Sequence, residues 1–244
     1  MQGKHRPLTL LQAQPSPNPA LQEDGRPGVH RIEPTADEAP ARAALLQVPA
    51  GWEPGRPAPL ALMLHGSGGD PQQGLDLLQP GADTAGAIVL AAASAEYTWD
   101  GILGDIGPDL ERIDRLLAWV FDRYAVDASR LAVGGFSDGA SYALALALGN
   151  GSLFTHCIAL SPGFIPPTPE HGRPAVFISH GTEDRVLPIG RCSRRIAAAL
   201  QRAGYHVDYR EFRGGHEIPE RIAGAAVDWW LRSSRRSQPA VART

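Results

Sequence analysis

The chain has 244 residues, 43% of them hydrophobic, with a formal net charge of −3 and a pI near 6.2. That balance carries no basic footprint for nucleic acid, and no window reaches the apolar length of a membrane span. Its start, Met1-Gln-Gly-Lys-His-Arg-Pro, lacks the apolar stretch of a secretory signal, and the two cysteines, Cys157 and Cys192, make no disulfide framework. A cytoplasmic location is the expectation that follows.

Residues 1–40 open with a run rich in Pro, Gln and Gly and are expected to be a poorly ordered or surface-draped extension. Apolar strand-like runs follow at 43–48, 60–64 and 87–92. The second ends in His65-Gly-Ser-Gly-Gly69. A helix is predicted from Pro108, which suits a first turn because its missing N–H has no partner to lose. Its apolar stripe runs through Leu110, Ile113, Leu116, Leu117, Val120, Phe121 and Tyr124. Asp109, Glu111, Arg112, Asp114 and Arg115 fall on the other face. A strand at 130–134 leads into Gly135-Phe136-Ser137-Asp138-Gly139, and a helix is predicted over 140–148. Strands at 155–160, 175–179 and 207–212 alternate with helices over 192–203 and 219–232. Short continuous apolar runs alternating with helices predict a mostly parallel sheet covered on both faces. One α/β domain over 41–236, with a tail at 237–244, accounts for the pattern.

The G-x-S-x-G between a strand and a helix is the chemical centre of the sequence. An abrupt strand-to-helix turn holds its serine strained and exposed, and the flanking glycines leave room where two backbones crowd. Ser137 competes with an ordinary helix N-cap reading. A serine hydroxyl needs a base, and the base needs an orienting group. Asp184, with Glu183 beside it as an alternative, follows the strand ending at Ser179. His216 follows the strand ending at Phe212. An oxyanion hole needs two N–H donors. The N–H groups of Asp138 and of Ser67, with Gly66 as alternative, are in suitable loops. His65 and His180, each before a glycine at a strand end, read as loop braces. No H-E-x-x-H, C-x-x-C or P-loop is present, so neither a metal nor a cofactor is expected.

These residues resemble the α/β-hydrolase superfamily, and within it the bacterial phospholipase/carboxylesterase and dienelactone-hydrolase-like serine esterases. The resemblance runs over about 42–232. It rests on Leu62-Met-Leu-His-Gly-Ser-Gly-Gly69, Gly134-Gly-Phe-Ser-Asp-Gly139, Leu160-Ser-Pro-Gly-Phe164, His180-Gly-Thr-Glu-Asp-Arg-Val-Leu-Pro188 and Gly214-Gly-His216. It implies the α/β-hydrolase fold, Ser137 as nucleophile, Asp184 as acid, His216 as base, and Ser67 and Asp138 as oxyanion-hole donors. Two features depart from those relatives. Dienelactone hydrolases have cysteine where this chain has Ser137. Many carboxylesterases have Gln-Gly-Gly where it has Asp138-Gly139-Ala140.

The stretch 161–174 is too short for a cap domain, so an open site for water-soluble esters is expected. Tyr97, Trp99, Phe164, Ile165, Leu187 and Ile189 are rim candidates for a short or medium acyl chain. The expected reaction is hydrolysis of a carboxylic ester or thioester. A peptidase or amidase, an acyltransferase, and a non-catalytic binding protein on the same scaffold are the alternatives. Because an imidazole must be neutral to act as base, kcat/KM should rise with pH through roughly 6–7. A profile flat from about pH 5 to 9 would contradict that scheme.

Overall fold

The computed structural model describes residues 10–16, 19, 26–33, 43–104 and 107–232. Eight strands form one sheet: β1 (Gly28–Ile32), β2 (Ala44–Val48), β3 (Ala58–Leu64), β4 (Ile88–Ala92), β5 (Val126–Phe136), β6 (His156–Leu160), β7 (Ala175–Gly181) and β8 (Val207–Phe212). Their spatial order is β1-β2-β4-β3-β5-β6-β7-β8. β2 runs antiparallel to both β1 and β4, and every pairing from β4 to β8 is parallel.

β3 and β4 are apolar and buried at every position because both of their faces are covered. On β3, Leu60, Leu62 and Leu64 enter one core with α4 (Pro108–Arg123), α5 (Asp138–Gly149) and α6 (Ser193–Arg202). Ala61 and Met63 enter the other with α1 (Pro71–Asp76), α2 (Gln79–Thr84) and α7 (Glu220–Arg232). The short α3 (Asp100–Leu103) precedes α4. Side chains alternate across a strand, so each strand from β2 to β8 contributes to both cores. The chain runs from β3 outward to β4, then returns to place β5 on the other side of β3. That reversal makes the carboxyl ends of β3 and β5 a topological switch point, the usual ligand position in such sheets. No helix among the described residues is long and apolar enough to cross a membrane. The stretch 161–174 holds no helix or strand.

Three features differ from the sequence expectation. The proline-rich start contributes an edge strand, β1. Upstream of it, in the stretch expected to be poorly ordered or surface-draped, the Leu11 N–H donates to Asn150 Oδ1, and the N–H groups of Gln12 and Ala13 donate to Asp114 Oδ1. Residues 233–244, which include the expected tail, lie outside the described part. Secondly, α1 begins on a capping Asp70, whose side chain accepts the Gln73 N–H at 3.0 Å, and α1, α2 and α3 are too short to show a periodic pattern. Thirdly, Asp109 and Arg112 are buried, not on the solvent face of α4. Asp109 accepts the N–H groups of Ala95 (2.5 Å) and Asp100 (2.8 Å), so the first turn of α4 clamps the β4–α3 loop. Burial pushes the Asp109 carboxyl up, against the hydrogen bonds that favour its ionised form.

Trp230 on α7 is fully buried in the second core. Trp230→Ala should lower unfolding stability by about 3–5 kcal/mol, read as a fall in the denaturant midpoint at unchanged slope.

Candidate active site

The turn from β5 into α5 leaves no residue between strand and helix except Ser137, which adopts φ 56° and ψ −119°. A positive φ is strained for a residue with a Cβ and persists only where its surroundings enforce it. Here the enforcement is steric. A Cβ on Gly135 would lie 2.6 Å from the Leu64 carbonyl oxygen, and one on Gly139 would overlap the carbonyls of Leu64 and His65. The elbow therefore packs backbone to backbone on the end of β3. This contact brings the β3–α1 loop beside the serine: a Cβ on Gly66 would sit 3.5 Å from the Ser137 Cβ. Ser137 occupies the N-cap position of α5, but its hydroxyl makes no capping bond.

That hydroxyl instead lies 2.9 Å from His216 Nε2, and His216 Nδ1 lies 2.7 Å from Asp184 Oδ2. The three side chains come from three loops beyond the carboxyl ends of β5, β7 and β8. The last two loops are joined closely. The Thr182 N–H donates to the Phe212 carbonyl (2.8 Å) and the Glu183 N–H to the Gly214 carbonyl (2.9 Å). A Cβ on Gly181 would overlap the carbonyls of Gly214 and Gly215. Glu183, the alternative acid, points outward to Arg213 Nε at 3.1 Å.

The Asp184 side chain is inaccessible to solvent, so it must satisfy its charge locally. Oδ1 accepts the N–H groups of Val186 (2.9 Å) and Leu187 (2.8 Å). Oδ2 faces His216 and, at 3.1 Å, His180 Nε2. Burial alone would raise this carboxyl, but the Leu187 N–H, His216 and the Val186 N–H outweigh it and hold the group below the usual carboxylate range. His180 also contacts the Leu187 carbonyl through Nε2 (2.8 Å) and Ser193 Oγ through Nδ1. The tautomer that satisfies both bonds carries its proton on Nε2 and accepts the Ser193 hydroxyl on Nδ1. His65 is similarly enclosed: Nδ1 donates to the Gly66 carbonyl (2.7 Å), and Nε2 accepts the Ser94 N–H (3.1 Å). Burial lowers the pKa of both His65 and His180, so they brace their loops as neutral rings.

Of the two expected oxyanion donors, Asp138 is the first residue of α5, where an N–H has no intrahelical partner. The Ser67 N–H has no hydrogen-bond partner among the described residues, whereas its neighbours Gly68 and Gly69 donate to the carbonyls of Tyr97 and Gly66.

The rim expectations divide. Tyr97 is 75% exposed and lies over Gly68; Phe164 is 45% exposed. Leu187 is half-buried, its methyl groups against Gly163. The N–H groups of Gly163 and Phe164 are held by Ser141 Oγ on α5. Ile165 is half-buried against the core and Ile189 is buried. Trp99 is fully buried and is not part of the rim. Its Nε1 donates to the His65 carbonyl at 2.9 Å, and its ring lies beside His65 and stacks on Tyr142. An apolar side chain near a motif has no sequence signal that separates rim from core.

Two residues beside the site escaped the sequence reading. Phe136, the variable residue before Ser137, packs its ring against His216 with centroids 4.6 Å apart. Thr98 Oγ1 donates to Asp138 Oδ2 at 2.8 Å. Alternation along β5 could have placed Phe136 on the face opposite Gly135, but nothing local marks Thr98. Among the described residues, no group of three or more His, Cys, Asp or Glu side chains could hold a metal ion.

The sequence pattern of the Phospholipase/Carboxylesterase family matches residues 108–229, half of the chain. Feruloyl esterase C of Emericella nidulans is 31% identical over 161 residues, an overlap of 61% of this chain and 57% of that protein. The chain thus spans little more than half the length of that relative. Among solved structures, esterase PE8 superposes with a TM-score of 0.62 at 22% identity, covering 76% of this chain and 96% of its own. A fluorophosphonate-binding serine hydrolase of Staphylococcus aureus, FphF, gives 0.67 at 12% identity, covering 86% and 100%. At such low identity these likenesses speak to the fold.

A carboxyl held below its ordinary value stabilises the fold fully above that value, near pH 4, and the contribution is lost as pH falls through the lowered value. Asp184→Asn removes this titration. The wild type should therefore lose stability more steeply than the variant between about pH 5 and pH 2 in urea unfolding. Parallel curves would contradict the assignment.

Proposed function

Because the chain belongs to the Phospholipase/Carboxylesterase family and is a hydrolase on the α/β-hydrolase fold, we propose that it is a serine esterase acting through an acyl-enzyme. The carrying observation is the unbroken series from Ser137 Oγ through His216 to Asp184 at 2.9 and 2.7 Å.

In this reading His216 Nε2 takes the Ser137 proton as Oγ attacks the ester carbonyl carbon. The carbonyl oxygen becomes an oxyanion, received by the N–H groups of Ser67 and Asp138, and the dipole of α5 adds to their field. Collapse expels the alcohol, protonated by His216, and leaves the acyl group on Ser137. A water molecule, deprotonated by His216, then attacks the acyl carbon. The second collapse releases the acid and returns the proton to Ser137. Asp184 stays ionised throughout, orienting the ring and stabilising the imidazolium. Its four hydrogen-bonding neighbours suit that role, because a carboxylate so supported gains nothing by taking the proton itself.

Substrates of short to medium acyl length suit a site with no capping helix or strand between β6 and β7. A second reading, esters of aromatic acids, is favoured by the exposed rings of Tyr97 and Phe164. It is consistent with the relative named for feruloyl ester hydrolysis.

Initial rates on p-nitrophenyl esters from acetate to palmitate, with a cinnamate ester in parallel, test both readings. Turnover should peak at short or medium chains, or on the aromatic ester under the second reading. Ser137→Ala should lower kcat by roughly 10⁴-fold or more while the circular dichroism spectrum is unchanged. A folded Ser137→Ala protein that retains turnover would overturn the proposal.

A further inference from the structure

Three consecutive residues of the β4–α3 loop are each tied to a different part of the proposed oxyanion site. The Tyr97 carbonyl accepts the Gly68 N–H at 2.7 Å, Thr98 Oγ1 donates to Asp138 Oδ2 at 2.8 Å, and Trp99 Nε1 donates to the His65 carbonyl at 2.9 Å. The loop is itself held by neighbouring elements. Asp109 accepts the N–H groups of Ala95 within it and of Asp100 just after it, and the Trp99 ring stacks on Tyr142 of α5 with centroids 5.6 Å apart. The two proposed N–H donors lie on separate segments, Ser67 after β3 and Asp138 at the start of α5. Tyr97 fastens to the first segment and Thr98 to the second.

We propose that Thr98 is a positioning residue that sets the Asp138 half of the oxyanion hole against the Ser67 half. This rests on the serine-esterase reading. Thr98 is buried, and its hydroxyl proton is directed at Asp138. The bond fixes the side chain of the residue whose N–H meets the developing oxyanion, directly beside the strained Ser137. It also addresses a difficulty peculiar to this chain. A carboxylate at the start of a helix is favoured by the helix dipole, but it is a like charge for an oxyanion a few ångströms away. Accepting the Thr98 proton ties one carboxylate oxygen to a buried loop and disperses part of that charge. Without the tie, the carboxylate is free to turn toward the reacting centre.

The test compares Thr98→Val, which keeps the shape and removes the hydroxyl, with Thr98→Ser, which keeps the hydroxyl. kcat and KM are measured on p-nitrophenyl butyrate. Inhibition by a trifluoromethyl ketone, which forms a tetrahedral oxyanion adduct with an active serine, is measured alongside. Thr98→Val should lose about tenfold to a hundredfold in kcat with KM changed less than about twofold, and ketone affinity should fall in the same proportion. Thr98→Ser should stay within about threefold of the wild type. A residue that only packs the loop would not link kcat to ketone affinity. A folded Thr98→Val enzyme matching the wild type in kcat and ketone affinity overturns the proposal. If Thr98→Val does not fold, the bond is tested from the other side. Asp138→Asn keeps an oxygen acceptor, and Asp138→Ala does not. The alanine variant should have the lower kcat, and equal values overturn the proposal. Ser137→Ala separates the two levels. Turnover surviving in it removes the esterase reading and this role with it. An inert Ser137→Ala beside an unaffected Thr98→Val removes only the positioning role.

Discussion

The β5–α5 turn and the end of β3 touch through backbone alone. Leu64 and His65 turn their carbonyls toward Gly135 and Gly139, and there is no space between them for a methyl group. The contact does two things together. It holds Ser137 at a positive φ that its own Cβ disfavours, and it sets the β3–α1 loop beside the serine. The strain at Ser137 is supported by a sheet that is apolar on both faces and closely packed around β3 and β5. A centre built on less rigid elements would relax it.

Electrostatics supports the second half of the site. A carboxylate removed from water is stable only if the groups around it replace the lost hydration. Asp184 achieves this with two backbone N–H groups on one oxygen and two histidines at the other. The two histidines differ. His216 reaches Ser137, whereas His180 is enclosed by Ser193 and the Leu187 carbonyl and is kept neutral by burial. One carboxylate thus organises both the loop after β7 and the proposed base, and hydrogen bonds tie the β7 and β8 loops to each other.

Most of the fold was legible because its signals are local. Continuous apolar runs marked the central strands, and a change of period marked the helices between them. β1 was not legible: its strand character comes from pairing with β2, and its own burial is slight. Asp109 and Arg112 read as a solvent face because charge usually signals exposure. Burial there is made tolerable for Asp109 by two backbone N–H groups contributed from another segment. Trp99 and Tyr97, two residues apart, illustrate the same limit at the site. One is a buried strut and the other an exposed ring, and only the packing of α5 and the β3–α1 loop distinguishes them.

The sequence by itself determined the alternation that makes a mostly parallel sheet, and the family to which its motifs belong. It also determined the chain order of a serine, an acid and a histidine, each just after a strand-like run, and the glycines around each loop permit close backbone approach there. The tertiary structure sets Asp184, which the resemblance implied, and not Glu183 against His216, and it alone decided that Phe136 backs the imidazole and that Thr98 reaches Asp138 across forty residues of chain. Each of these is a contact between segments distant in the chain. Residue type and spacing constrain which loops meet, but the direction of a side chain within a loop follows from the groups that surround it after folding.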